Sequence, residues 1–164
     1  MIIAAFAGVG KSTFCEQNRE KSIDFICMPY KYSNFEEVAE GLAEGESIKA
    51  HEDLNFVFGW QKDYFEAIKE LEAQHLEKYI VIPTERQVLE MLYEEGIPYT
   101  LVYPHESLQE EYRSRYITRG DSETFVSIFA DGWKGWMKSL KECPGENRIV
   151  LQAGEFLADV ISGE

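Results

Sequence analysis

The first fourteen residues constrain the fold of this chain more than any other segment. They read MIIAAFAGVGKSTF, an apolar run over residues 1–6 followed by a glycine-rich turn, a lysine and two hydroxyl residues. A short apolar run of this kind predicts a strand that is buried on both faces, and the segment after the turn has helical character. The order strand, glycine-rich loop, lysine–hydroxyl pair and helix is the context that a phosphate-binding loop requires.

The residue types in this loop suit the chemistry of phosphate binding. Glycines tolerate unusual backbone dihedrals and leave space for an anion, so Gly8 and Gly10 allow the loop amides to turn inward. We expect Lys11 to reach the β- and γ-phosphates of a nucleotide and the Ser12 hydroxyl to ligate Mg²⁺. Thr13 follows on the helix, near the α-phosphate. The residues predicted to bind the nucleotide are Ala7, Gly8, Val9, Gly10, Lys11, Ser12 and Thr13.

One position departs from the usual pattern of such loops. The consensus GxxxxGK[ST] begins with a glycine, and Ala5 stands at that position here. The additional methyl group lies at the end of the predicted strand, away from the amides that face a phosphate, so we expect the loop to tolerate it. The alternative is a chance glycine-rich turn between a strand and a helix.

Apolar and amphipathic segments alternate along the rest of the chain. The candidate strands lie at 1–6, 22–28, 79–83, 99–103 and 148–152. The candidate helices follow the loop at 11 and lie at 55–74, 85–95, 107–119, 122–140 and 155–161, with a weak helix and a surface loop at 33–53. This alternation predicts an α/β fold of three layers, α/β/α, around a five-stranded parallel sheet, whose ligands bind beyond the carboxyl ends of the strands. Because no repeat or low-complexity linker interrupts it, we expect one domain over 1–164.

The charge balance excludes several classes of partner. The chain carries 30 acidic and 16 basic side chains, a formal net charge of -14, and a field of that sign repels nucleic acids and anionic membrane surfaces. Its apolar runs are shorter than the ~20 residues that a membrane span needs, and its N-terminus lacks the basic start of a signal peptide. Three widely spaced cysteines, Cys15, Cys27 and Cys143, fit reduced thiols in a cytosol. We therefore expect a cytoplasmic protein without a membrane or nucleic-acid partner.

Three segments together resemble the P-loop kinases of nucleosides and nucleotides, in particular the compact relatives of adenylate and thymidylate kinases that phage and prophage genomes carry. These segments are AFAGVGKST (5–13), PTER (83–86) and YPHESLQEEYRSRYITRG (103–120). The resemblance spans most of the chain in the order of its elements, but only the first segment is specific at residue level. It implies the P-loop nucleoside triphosphate hydrolase fold, ATP with Mg²⁺ as phosphoryl donor, γ-phosphoryl transfer to a small acceptor, and a lid that brings arginines onto the phosphates.

The basic residues that follow the fourth predicted strand are candidates for this lid. Arg115 and Arg119 are four residues apart and therefore share one face of a helix, whereas Arg113 projects elsewhere. Phosphoryl transfer needs cations near the oxygens of the moving group, a task that suits the planar guanidinium. We predict that Arg115 and Arg119 bind ATP and take part in catalysis within a lid-like helical region at about 107–125. The alternative is a solvated helix whose arginines pair with neighbouring glutamates.

An acidic residue ends the third strand in related kinases, where it helps to hold Mg²⁺ or acts as a base. Here the segment reads Pro83-Thr84-Glu85-Arg86, and its acid–arginine pair resembles that of thymidylate and deoxynucleoside kinases, which makes Glu85 a candidate catalytic residue. The alternative is an ordinary helix N-terminus, at which Thr84 is the cap and Glu85 complements the helix dipole. Asp24, inside the second predicted strand, is either a water-mediated metal contact or a charge at the strand edge.

The acceptor site has weaker candidates. The segment 29–32 reads PYKY and follows the second strand; its tyrosine rings suit stacking on a base or sugar, and Lys31 suits an anionic group. Phe56 and Trp60 are candidates for a pocket wall, although their helical spacing favours the core. The resemblance implies a small-molecule acceptor, a nucleoside or a nucleoside monophosphate.

Two other functions compete with that of a kinase. The first is a nucleotide-binding switch or a slow NTPase that works through a protein partner. Two features suggest this function: the chain lacks a plain aspartate after the third strand, and it has a long acidic segment at 33–53. A degenerate fold that keeps the loop and binds no nucleotide is the other, and the intact Lys11 and Ser12 argue against it.

Overall fold

Within residues 1–42 and 54–161, which the computed structural model describes, five strands pair to form one sheet. The strands are β1 (Ile2–Ala5), β2 (Ser22–Asp24), β3 (Tyr79–Ile82), β4 (Tyr99–Pro104) and β5 (Arg148–Leu151). Their spatial order is β2-β3-β1-β4-β5, and each neighbouring pair runs parallel. Because β1 is central, the loop that follows it lies between the segments that follow β3 and β4.

Helices connect these strands and complete the predicted three-layer α/β/α fold, which is confirmed. The α-helices in the described part of the chain are α1 (Lys11–Gln17), α2 (Met28–Lys31), α3 (Phe35–Glu40), α4 (Trp60–Gln74), α5 (Arg86–Glu94), α6 (Gln109–Thr118), α7 (Glu123–Val126), α8 (Trp133–Glu142) and α9 (Leu157–Val160). No helix among these residues is both long enough and apolar enough to cross a bilayer.

The centre of the sheet explains why the first segment is so apolar. All four residues of β1, Ile2–Ala5, are fully buried, since β3 and β4 flank the strand and helices cover it. Phe6 continues the strand direction, and its ring meets those of Phe129, Trp133 and Trp136 edge-on, with centroids 5.8–5.9 Å apart. The core therefore extends to the point where the glycine-rich loop begins.

The second strand is shorter than the apolar pattern predicts. It ends at Asp24 instead of residue 28, so Asp24 lies at the carboxyl end of the strand and not inside it. Pro29 does not close a strand but lies in the first turn of α2, where a residue without an N–H group is tolerated. The Phe25 ring stacks on that of Tyr64, with centroids 5.0 Å apart, which explains why the apolar run continues beyond the strand.

The helix predicted over 55–74 begins later, at Trp60, because Gly59 takes a left-handed conformation with φ 76° at its N-cap. Trp60 is 2% exposed and belongs to the core, as its spacing predicted. Phe56 is 47% exposed and forms an isolated bridge with Tyr32, so its predicted place in the core is wrong. Of the predicted weak helix and loop at 33–53, α3 forms over Phe35–Glu40, and positions 43–53 lie outside the described residues.

The start of the region that follows β4 differs from its prediction. Ser107 does not cap a helix: it lies within a 3-10 turn, Glu106–Leu108, and its N–H donates to the side chain of His105. The α-helix then starts at Gln109 without a side-chain cap among the described residues. The predicted start of the next helix at 122 is confirmed, because the Ser122 hydroxyl caps α7 by accepting a hydrogen bond from the N–H of Phe125 at 3.1 Å.

The helix predicted over 122–140 is divided into three parts. A π-helical turn, Ser127–Asp131, separates α7 from α8, and Gly132 joins the turn to α8. A Cβ atom at Gly132 would lie 2.3 Å from the carbonyl oxygen of Ile128, so this close approach of two backbone segments requires glycine. Sequence periodicity does not report such a turn, because apolar residues continue through it at helical spacing.

Candidate active site

The loop after β1 turns through two glycines in left-handed conformations. Gly8 has φ 86° and Gly10 has φ 88°, values that side chains with a Cβ atom rarely adopt. A Cβ atom at Gly8 would lie 2.8 Å from Cε1 of Tyr116, so α6 packs directly against the loop. Gly10 is the N-cap of α1, whose first N–H groups have no partner within the helix.

Lys11 lies at the carboxyl end of the central strand. Its ammonium group donates to the carbonyl oxygens of Ala5 at 3.1 Å and Phe6 at 3.4 Å, so the side chain crosses the loop that it follows. Ala5, which stands where the consensus has glycine, is fully buried. Ser12 and Thr13 are exposed on the first turn of α1, and their predicted roles toward a metal and a phosphate stay predictions.

Arg115 connects α6 to the loop. Its guanidinium donates to the carbonyl oxygens of Gly8 at 2.9 Å and Glu155 at 3.1 Å. It also lies over the rings of Tyr112 and Phe156, 4.4 Å and 4.0 Å from their centroids. With 13% of its side chain exposed, Arg115 joins the loop after β1 to the segment after β5.

Glu111 reinforces this connection from the preceding turn of α6. One of its carboxylate oxygens accepts from Arg115 at 2.6 Å and from the N–H of Gly154 at 2.9 Å. The hydrogen bond from Gly154, followed by that from Arg115, holds the pKa of Glu111 below its ordinary value. The Tyr116 hydroxyl adds a bond to the carbonyl oxygen of Ala7 at 2.9 Å. The loop is therefore held on one side by α6.

Arg119 differs from Arg115 in its surroundings. It lies at the C-cap of α6 and pairs through Nε with the carboxylate of Asp121, while its guanidinium is about 5 Å from the rings of Tyr116 and Phe125. Its side chain is 36% exposed, whereas that of Asp121 is 3% exposed. The guanidinium is thus oriented by a buried carboxylate and remains open to a ligand.

A cleft of about 650 Å³ lies between the loop and α6. Its lining includes Gly8, Gly10, Thr13, Arg115, Arg119 and Phe156, so the structure brings together residues that the sequence predicted as one site. Arg113 is not among its lining residues, because it pairs with Asp131 at 2.7 Å and with Glu110 at 3.4 Å. Both Arg113 and Arg115 therefore pair with helix glutamates, as the alternative predicted, but Arg115 also lines the cleft.

A second, smaller cleft of about 250 Å³ lies between α1 and the end of β2. Ser12 and Asp24 both line it, together with Cys15, Glu16, Arg19 and Ser22. Hydroxyl and carboxylate oxygens are the donors that Mg²⁺ prefers. Between the two acids considered from the sequence, Asp24 is the one that shares a cleft with Ser12.

Glu85 lies at the end of β3, on the opposite side of Lys11 from the arginines in sheet order. It occupies the N-cap position of α5 itself, which overturns Thr84 as the cap, and its side chain caps no N–H group in the described part of the chain. Burial raises the pKa of Glu85, and the nearby Lys31 opposes that rise. Burial raises the pKa of the Cys27 thiol to about 11, and the charges of Lys31, Glu85 and Lys11 also act on it.

Arg86, the arginine that follows Glu85, pairs with glutamates of α5 and α8. Arg86 donates to Glu90 at 2.8 Å and lies 3.6 Å from Glu142 of α8. The acid–arginine pair that resembles other kinases is therefore divided, with the acid half-buried near the loop and the arginine on the exposed side of α5.

Sequence reasoning missed the residues that hold the loop from a distance. Phe156 belongs to a segment after β5 that carries no recognisable motif, and its N-terminal neighbour Glu155 contributes a backbone carbonyl. Tyr112 and Tyr116 did have a signal, since they alternate with the arginines at helical spacing. Tyr30, a candidate for stacking on the acceptor, instead packs edge-on against Phe25 and Tyr64.

Comparison with known proteins supports the fold. No family model and no curated protein matches this chain. A solved structure, the tunicamycin resistance protein of Deinococcus radiodurans, is similar with a TM-score of 0.50 and 15% identity, over 94% of this chain and 86% of that one. An uncharacterized protein from Eubacterium ventriosum aligns with a TM-score of 0.45 and 13% identity, over 94% of this chain and 90% of that one. The chain has a three-layer α/β/α fold around a five-stranded parallel sheet.

Proposed function

We propose that this protein is a Mg²⁺- and ATP-dependent kinase that transfers the γ-phosphoryl group to a small molecule, a nucleoside or a nucleoside monophosphate. One juxtaposition supports the proposal above all others. Lys11 lies at the end of the central strand, between a cleft lined by two arginines and a half-buried Glu85. A phosphoryl donor, cations for the developing charge and a proton acceptor all have a place in that arrangement.

The donor side fits a nucleoside triphosphate in shape and charge. Gly8 and Gly10 hold a turn that other residues would strain, and the cleft of about 650 Å³ beside them is large enough for a nucleotide. Lys11 supplies a compact charge for the phosphates, and Arg119 supplies an exposed guanidinium. Arg115, which is occupied by backbone carbonyls and rings, positions the loop and forms one wall of the cleft.

Ser12 and Asp24 would hold Mg²⁺, because both supply oxygen donors to the smaller cleft at the start of α1, which Glu16 and Ser22 also line. Bound Mg²⁺-ATP supplies an electrophilic phosphorus with a stabilised leaving group. In this proposal Glu85 would take the proton of an acceptor hydroxyl as its oxygen bonds to the γ-phosphorus and ADP leaves. A raised pKa suits this role, since a base is most effective when its pKa approaches the working pH.

The direct test is phosphoryl transfer from γ-labelled ATP to a panel of nucleosides and nucleoside monophosphates. We expect label in at least one acceptor, and we expect Lys11→Ala to abolish it while Lys62→Ala, an exposed lysine on α4, leaves it unchanged. A protein that binds ATP through Lys11 but labels no acceptor would contradict the proposal.

The same measurements separate the competing functions. Nucleotide hydrolysis that only a protein partner accelerates would favour a switch or slow NTPase. The sequence argument for that function rests on the missing aspartate after β3 and on the acidic segment 33–53, of which positions 43–53 lie outside the described residues. Thermal unfolding with and without millimolar Mg²⁺-ATP tests the degenerate fold, because a ligand that binds the native state must raise its stability. An unchanged melting temperature would contradict both nucleotide-binding functions.

A further inference from the structure

We infer that the acceptor is a hydroxyl compound that carries no phosphate or other anionic group, so that uncharged nucleosides and cationic amino sugars are substrates and nucleoside monophosphates are not. This inference rests on the proposed function and narrows the substrate class of the same site. It depends on how charge is distributed between β2 and β3, where the structure describes residues 25–42 and 54–78; these described residues are the acceptor lobe.

The acceptor lobe contains no arginine in its entire sequence, and its acidic residues outnumber its lysines. The arginines of the chain are Arg19, Arg86, Arg113, Arg115, Arg119 and Arg148. Recognition of a phosphate monoester in proteins relies heavily on arginine, whose fork of N–H donors matches two phosphate oxygens at once. The lobe therefore lacks the residue type that an anionic acceptor would require most.

The arginines nearest to the lobe in sequence do not compensate for this deficit. Arg86 pairs with Glu90 and Glu142, on the side of α5 that faces α8. Arg19 lines the small cleft, but it shares this cleft with the carboxylates of Glu16 and Asp24. Neither arginine adds a surplus of positive charge where the acceptor would bind.

The surroundings of Glu85 make an additional anion unfavourable. Glu85 is half-buried, and burial already disfavours its charged form, with Lys31 as the opposing cation. A phosphate in this region would place two more negative charges beside a half-buried carboxyl group and one lysine, whereas an uncharged hydroxyl compound avoids that repulsion.

Exposed aromatic rings beside Lys31 suit an uncharged, ring-containing acceptor. The N–H of Val57 donates to the carbonyl oxygen of Lys31 at 2.9 Å, which places the segment 56–58 next to α2. Phe56 is 47% exposed and Phe58 is 92% exposed, and their rings meet edge-on with centroids 5.2 Å apart. Rings of this kind offer a stacking surface without charge.

The experiment compares matched pairs, in which each nucleoside is assayed beside its own 5′-monophosphate with γ-labelled ATP, and amino sugars are included. The expected kcat/KM for the uncharged member of the productive pair, or for an amino sugar, exceeds that of the monophosphates by about tenfold or more. Faster labelling of monophosphates would overturn the inference and leave the proposed kinase function intact. Absence of label in every acceptor, with Mg²⁺-ATP bound, would contradict the proposed function and the inference with it.

A gain-of-charge variant tests whether the missing arginine causes the preference. Phe58→Arg adds a guanidinium to the acceptor lobe at an exposed position, and Tyr93→Arg adds the same charge outside the lobe, at a position of α5 that is 58% exposed. We expect Phe58→Arg to narrow the preference for the uncharged acceptor by about threefold or more and Tyr93→Arg to leave it unchanged. Equal effects of the two variants, or no effect of Phe58→Arg, would contradict the charge argument.

Discussion

The two sides of the candidate active site differ in how they carry charge. On the donor side, α6 holds Arg115 and Arg119 against aromatic rings and carboxylates, next to the loop after β1. On the acceptor side, residues 25–78 contain no arginine, and a half-buried Glu85 lies near Lys31. A chain with a net charge of -14 can thus present a local cationic surface to one substrate and a neutral to acidic surface to the other.

The two sides also differ in their contribution to stability. On the donor side, Arg115 and Tyr116 make hydrogen bonds that join the loop to α6, and Glu111 accepts hydrogen bonds from Arg115 and from Gly154. The acceptor side contains a carboxyl group whose ionisation is made unfavourable by burial. Such an arrangement is typical of a group kept for chemistry at the expense of stability. The following predictions test this contrast, beginning with the largest expected effect.

Lys11→Ala should abolish the function of the donor side, which is to bind ATP and to stabilise the developing charge. We expect kcat/KM for phosphoryl transfer to fall by about 10³ or more, because the lysine contributes to ATP binding and to stabilisation of the developing charge. Mg²⁺-ATP should also no longer raise the melting temperature. Activity within tenfold of the parent protein would show that Lys11 is not part of the site.

On the acceptor side, Glu85→Gln should lower the activity and raise the stability of the protein. Loss of the proton acceptor should lower kcat by about 10²–10³. Because burial raises the folded-state pKa of Glu85, its ionisation costs stability as the pH rises from the unfolded to the folded pKa, and this cost persists at neutral pH. The variant should therefore melt at a higher temperature at pH 7. A lower melting temperature would indicate a structural role instead.

The two arginines of α6 should respond differently to the same change. Arg119→Lys should lower kcat by about 10² with little change in stability, because its guanidinium is exposed and a lysine does not reproduce its planar fork. Arg115→Lys should instead reduce the free energy of unfolding by about 1–3 kcal/mol, since it breaks bonds to Gly8 and Glu155. Urea titrations and initial rates on both variants provide the comparison.

Gly8→Ala should destabilise the loop through two independent causes. The left-handed conformation costs about 1–2 kcal/mol with a Cβ atom, and that atom would lie 2.8 Å from the Tyr116 ring. Gly120→Ala is the matched control: its φ is 82°, but the Cβ atom would meet no described atom within 4 Å. Equal losses of unfolding free energy in the two variants would mean that the contact with Tyr116 is unimportant.

The smallest expected effect concerns Glu111 and pH. Its folded-state pKa is lowered by the N–H of Gly154 and by Arg115, so its contribution is present above the unfolded-state pKa and is lost as the pH falls through the folded-state pKa. Glu111→Gln should lower the unfolding free energy by about 1 kcal/mol at pH 7. The difference between variant and parent should vanish in acid, which denaturation at several pH values can verify. A difference independent of pH would exclude the ionic contribution.

Local patterns predicted much of the fold and part of the site. The apolar runs located all five strands, since strands buried on both faces leave a continuous signature. The spacing of Arg115 and Arg119 correctly placed both on the cleft side of one helix. The same reasoning failed at Phe56, because helical periodicity extended past the left-handed Gly59 that starts α4. It also failed for the helix over 122–140, where a π-helical turn preserves apolar spacing.

The sequence by itself determined the loop, the alternation of strands and helices, and the absence of arginine from residues 25–78, since each is a property of consecutive residues. Tertiary structure alone decided that Asp24 shares a cleft with Ser12, that Arg86 turns toward α8, and that Arg115 is fixed by carbonyls of Gly8 and Glu155. These pairings join residues far apart in the chain, and their energies depend on which strand lies beside which in the sheet. Local periodicity carries no information about that order, so the assignment of roles among acids and arginines required the folded chain.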